Sequence, residues 1–191
     1  MAAGPGSSPQ AQGRSVAKGR SKARFPQTPM FRPPEVWLSI DPASGKKDSV
    51  GVRWEWGSPI NFVGINHKSP DDISKAIGHS GLVVVEGGGF VGPNAASSLA
   101  LARVRERFAC VAWHRGIHTL EVAPDHWRSI LSLEARPRAR AVAAQRTLCK
   151  VLAMSGLSLA ASATNDDKRA ALLIGVACCQ AWNWPALDAM R

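Results

Sequence analysis

Apolar residues recur with two periods along this chain. At 36–40 (Val-Trp-Leu-Ser-Ile) an apolar run reads as a buried strand and stops at Asp41. A second β-type run at 49–56 and a third at 60–65 follow, split by Gly57-Ser58-Pro59, which reads as a hairpin turn. Ser69-Pro-Asp-Asp supplies an N-cap and acids in a first helical turn, so a short helix is expected to run to about Gly78. Residues 81–86 are a continuous β-branched run, the pattern of a strand buried on both faces, and it too ends in a carboxylate, Glu86. A glycine-rich loop leads into a helix expected over 94–108, capped by Asn94, with Leu101, Val104 and Phe108 as its apolar stripe.

The second half is expected to hold a strand over 117–122, a short helix over 125–131 with Trp127 and Arg128, and a helix over 139–154. On that helix Ala141, Ala144, Leu148, Val151 and Leu152 form one face. After a loop, Asn165-Asp166-Asp167 caps a last helix over 168–182, apolar nearly all round and therefore buried. Most of the seven tryptophans read as core, with Trp182 and Trp184 as candidates for a dimer patch. The five histidines are scattered, and only His126, beside Trp127 and Arg128, has a claim to a site.

Composition changes this picture at one end. Residues 1–34 are rich in Gly, Pro, Ser, Gln and Ala, and carry Arg14, Lys18, Arg20, Lys22, Arg24 and Arg32 with no acid. Such a stretch cannot build a core, and it reads as a disordered basic arm before a single domain over 35–191. An arm of this kind raises affinity for DNA or RNA through counterion release; the plainer alternative is a solubilising tail. The net charge of +10 on 191 residues points to a polyanionic partner, nucleic acid first. No apolar run is long enough to span a membrane and no export signal is evident, so a cytoplasmic protein is expected. Cys110, Cys149, Cys178 and Cys179 lack metal-ligand spacing and read as reduced core thiols.

The candidate chemistry lies where the elements end. Asp41, Glu86 and Asp166/Asp167 each have an inexpensive explanation as a turn residue, a strand-end charge or an N-cap. Together they suggest one site: two strand-end carboxylates side by side, and a third from a helix N-terminus. Like charges so close repel, and hard divalent cations, Mg²⁺ or Mn²⁺, would relieve them. Two such ions per site would serve phosphodiester hydrolysis. The loop 87–93 also hints at phosphate cradling, but it fits neither the P-loop nor the dinucleotide pattern.

The element order resembles the RNase H-like fold, an α/β architecture with a mixed five-stranded sheet flanked by helices. Within it the chain resembles the RuvC-type Holliday-junction resolvases over most of residues 36–180. The likeness is carried by Ile40-Asp41-Pro-Ala-Ser-Gly, by Val85-Glu86 with Phe90 and Asn94-Ala-Ala-Ser-Ser-Leu, by Arg146-Thr-Leu-Cys-Lys-Val-Leu, and by Asp167-Lys-Arg-Ala-Ala-Leu-Leu-Ile-Gly. The resemblance implies a metal-dependent endonuclease acting on four-way or branched DNA, and a homodimer, because junctions have two-fold symmetry. It implies Asp41, Glu86 and Asp167 as metal-binding catalytic carboxylates. Phe90 falls where the family stacks an aromatic on a base. Arg128 and Arg138 fall where it has basic residues near the scissile phosphate. Lys46 and Lys47, in the turn after Asp41, join them as DNA-binding candidates. The family's fourth acid is missing: the position three after Asp167 is Ala170, and Asp166 is the candidate replacement. A non-catalytic branched-DNA-binding protein and an RNase H-like nuclease acting on RNA are the alternatives. A sugar-kinase or actin-type ATPase ranks low, because it needs two copies of the fold.

Overall fold

The structure is a computed structural model, and it describes residues 34–45, 47–88, 95–133 and 138–184. The expected arm and the cap at Asn94 lie outside the described residues. Five strands, β1 (Val36–Asp41), β2 (Ser49–Glu55), β3 (Ser58–Ile65), β4 (Leu82–Glu86) and β5 (His118–Val122), form one sheet in the order β3-β2-β1-β4-β5. The β1–β2 and β2–β3 pairs are antiparallel, and β1–β4 and β4–β5 are parallel. This is the mixed five-stranded α/β sheet the sequence predicts. Six helices accompany it among the described residues: α1 (Pro70–Ile77), α2 (Ala95–His114), α3 (Pro124–Ile130), α4 (Arg138–Met154), α5 (Ser158–Ala161) and α6 (Asp166–Ala181).

Strand parity divides the core. Side chains alternate across a strand, so Leu38 and Ile40 of β1 face one way with Val83 and Val85 of β4. There they pack on Ile73 and Ile77 of α1 and Val104, Phe108 and Ala112 of α2. Trp37 of β1 and Leu82 and Val84 of β4 face the other way, into a larger cluster with Trp54, Trp127 and the buried side of α6. Each fully buried aliphatic side chain here stabilises the fold by about 1.5–3 kcal/mol.

Close approach of α6 to the sheet is set by Gly175. A Cβ at that position would lie 2.0 Å from Cζ2 of Trp54, so only glycine lets the indole seat against the helix. The Trp54 Nε1–H donates to Ser39 Oγ at 2.8 Å, and the Ser39 hydroxyl donates to the Ala171 carbonyl at 2.8 Å, which ties β2, β1 and α6 in one line. Trp37 stacks on Trp54 with ring centroids 4.9 Å apart.

Several expectations need correction. The α2 helix continues to His114 rather than ending near Phe108, because Ala112 repeats the buried stripe one turn later and the first breaker is Gly116, at φ 68°. A short helix, α5, stands in the stretch read as loop. On α4, Val151 faces outward at 51% exposure; the buried line is Gln145, Cys149 and Leu152. Cys110 is exposed, whereas the other three cysteines are buried. Burial pushes the Cys149 thiol up to about 11 and Cys179 up to about 12, in keeping with inert core thiols. Trp184 belongs to the core, edge-on to Trp37 at 5.3 Å and against Trp182 at 4.7 Å, so it forms no surface patch. Trp56 and Trp113 are the tryptophans left outside, at 71% and 80% exposure. Among the described residues no helix is long and apolar enough to cross a membrane.

Candidate active site

Asp41 and Glu86 meet because of register and parity. Ile40 pairs with Val85 across the parallel β1–β4 ladder, so the next residues, Asp41 and Glu86, end adjacent strands side by side. Asp41 follows Trp37 and Ser39, and Glu86 follows Leu82 and Val84, so both carboxyls face α6. The two side chains share a hydrogen bond. Burial first, then the charges of Glu86 and Asp167, push Asp41 up to about 8, and only Arg128 pulls it down. With no cation bound, the Asp41 carboxyl therefore keeps its proton at neutral pH.

Trp127 is a site residue that sequence reasoning did not assign. Its Nε1–H donates to Glu86 Oε1 at 2.9 Å, while the ring itself is fully buried. A buried indole must place its single N–H on an acceptor, and here the acceptor is the candidate carboxylate. The one sequence signal was a tryptophan beside an arginine on a short helix following a strand; nothing local specified its partner. Arg128 stacks over the Trp127 ring with Cζ 5.0 Å from the centroid, and its Nη2 lies 3.9 Å from Glu86 Oε1. Its Nε is buried and has no hydrogen-bond partner, a donor left over beside the carboxylates.

The two acids of α6 part company. Asn165 alone is the N-cap, accepting from Lys168 N at 2.8 Å, and Asp166 and Asp167 fill the first turn, where the helix dipole favours negative charge. Successive helical residues point about 100° apart. Asp167 contributes its charge to Asp41. Asp166 is ion-paired with the buried Arg169, which also donates to the Ala163 carbonyl at 2.9 Å, and lies 3.9 Å from Arg146. Ala170 brings no carboxylate.

Of the remaining candidates, Lys47 is exposed in the β1–β2 turn. Lys46, Phe90 and the Arg138 side chain lie outside the described residues, and the Arg138 backbone begins α4. His126 is half-buried with Nδ1 unpartnered. His67 is a core residue, with Nδ1 3.3 Å from Ser49 Oγ; burial lowers its pKa.

The donor set fits a hard divalent cation: it is carboxylate oxygen, its carboxylates repel one another, and Asp41 holds a proton that a cation would displace. Among the described residues, no three His, Cys, Asp or Glu side chains stand close enough together to hold an ion as they are placed. Asp41 and Glu86 are in contact, and Asp167 reaches them through its field.

Comparison with solved structures finds the same fold in two proteins. RuvC of T. thermophilus in complex with a Holliday junction substrate is similar to this chain at TM-score 0.54 and 11% identity, over 79% of this chain and 96% of that one. The yeast mitochondrial Holliday junction resolvase Ydc2 is similar at TM-score 0.54 and 11% identity, over 85% of this chain and 86% of that one. No protein-family model matches the sequence, and no curated protein does. The chain thus has the fold of RuvC and Ydc2.

Proposed function

We propose that the protein is a divalent-metal-dependent endonuclease for four-way or other branched DNA, working as a homodimer. The observation that carries this reading is the contact between Asp41 and Glu86 at the ends of two parallel strands, with Arg128 the one described cation that pulls Asp41 down. The shared fold with the two junction resolvases supports it.

Asp41 and Glu86 would hold the metal, with Asp167 as the third carboxylate of the site. Mg²⁺ or Mn²⁺ bound there supplies an activated water and charge neutralisation at the leaving oxygen. To accept a cation Asp41 must release its proton. Trp127 fixes one oxygen of Glu86, which keeps that carboxylate aimed at Asp41. Arg128, propped on the Trp127 ring with its part-exposed guanidinium beside Glu86, is the donor for the phosphate being cut, where negative charge grows in the transition state. Asp166, engaged by Arg169 and Arg146, anchors the start of α6 in this scheme.

The test is incubation of a synthetic four-way junction, beside a linear duplex of matched length, with Mg²⁺ and with EDTA. Paired nicks on the junction only, lost in EDTA and in Asp41→Asn, are expected. Tight junction binding without nicks, under Mn²⁺ as well, would favour the non-catalytic reading. That alternative draws on Ala170, which stands where a fourth acid is expected.

A further inference from the structure

An open groove of about 750 Å³ runs beside α4 and α5, on the side of α6 where Asp166 lies. Its volume falls within the range of small-ligand sites. Arg146, Lys150 and Arg169 line it together with Ala153, Met154 and Ala160. Arg169 is only 7% exposed, and its Nε has no hydrogen-bond partner although the two Nη atoms are engaged. The Arg169 side chain forms part of the groove wall and brings a buried positive charge behind it. Among the described residues, Asp166 is the acid paired with these cations, through Arg146 and Arg169, so the lining is positive on balance. Met154, also lining the groove, is 88% exposed, an apolar and adaptable side chain.

We propose that this groove is a nucleotide-phosphate site. One phosphate sits on Arg146 and Lys150, with the buried charge of Arg169 behind them, and the attached sugar and base lie against Ala153, Met154 and Ala160. The lining divides as a nucleotide does, into charged and apolar side chains. The phosphate can come from a DNA strand or from a free nucleotide. The proposal goes beyond the nuclease reading and does not need it: a protein that cuts nothing would still bind here.

Lys150 and Arg146 are exposed, so Lys150→Ala and Arg146→Ala should fold. Circular dichroism checks this. The methyl of Met154 is the reporter, with methyl-¹³C methionine labelling and assignment by Met154→Leu, since the chain has only four methionines. The probes are a short linear duplex in EDTA, deoxyadenosine monophosphate and inorganic phosphate. The Met154 resonance should shift with at least one nucleotide probe and shift less in both alanine variants. A shift with the duplex alone identifies a strand phosphate; a shift with the mononucleotide identifies a free nucleotide. Where the duplex is the ligand, each variant should weaken binding about 3- to 10-fold and lower the salt slope by about one. A Met154 resonance unmoved at saturation by both nucleotides, or one that moves equally in the alanine variants, overturns the proposal.

Discussion

Two carboxylates near the start of α6 are neutralised in opposite ways. Asp166 has its cations built in: Arg169 binds it from beneath and Arg146 stands 3.9 Å away. Asp41 meets Glu86 and the field of Asp167, and it is kept neutral by a proton. The first arrangement is complete as it stands. The second is stable only while the proton stays, so it is poised to exchange that proton for a metal. Acidity at the end of an element therefore does not mark a site by itself; what marks it is a carboxylate that meets other carboxylates rather than a paired cation among the described residues.

The sharpest break in this comparison is expected from Asp41→Asn. Junction cleavage should fall by at least about 10³-fold, the scale of losing a group that stabilises reaction charge, while the same change should leave the metal-free fold intact. The pH response follows next. Asp41 titrates near 3.8 in the unfolded chain and at about 8 in the folded one. Between those values the folded state keeps a proton that the unfolded state has released. The stabilising contribution is therefore full below about pH 4 and is lost as pH rises through about 8. Denaturant melts in EDTA should show stability declining by a few kcal/mol over that window. Asp41→Asn should flatten the decline, and saturating Mg²⁺ should offset it at the alkaline end.

Asp166→Asn tests the other side. It removes the partner of a buried guanidinium and should cost about 2 kcal/mol in denaturant melts, with cleavage per folded molecule close to wild type. An Asp166→Asn protein that is stable but inactive would reverse the assignment of the two acids. The smallest effect is expected from Trp127→Phe, which keeps the ring and deletes the N–H to Glu86. Metal affinity should drop about 10-fold, the lower end for a group that orients a metal ligand, with little change in Tm.

Much of this was legible in the residues. The run 36–40 ending at Asp41 and the run 81–86 ending at Glu86 mark two buried strands with acid tips, and parity then fixes the face those acids take. The division of labour between Asp166 and Asp167 was not legible. Both are adjacent first-turn acids, and only the tertiary position of Arg169 and Arg146 separates them. The Trp127–Glu86 bond spans 41 residues and could not be read from local pattern. The same holds for Gly175, which the sequence presents as a small residue in an apolar helix and the fold uses to seat Trp54. Where the apolar stripe was weak, as on α2 and α4, alanine obscured the buried face: Ala112 extended one helix unnoticed, and Val151 took the solvent side of the other.

The central claim is that a divalent cation replaces the proton on the Asp41–Glu86 pair. Calorimetric titration of Mg²⁺ or Mn²⁺ into the metal-free protein at pH 7, in two buffers of different ionisation enthalpy, measures that exchange directly. The account predicts saturable binding with release of close to one proton per site, and loss of both in Asp41→Asn. Binding that releases no proton, or that is unchanged in Asp41→Asn, would contradict it.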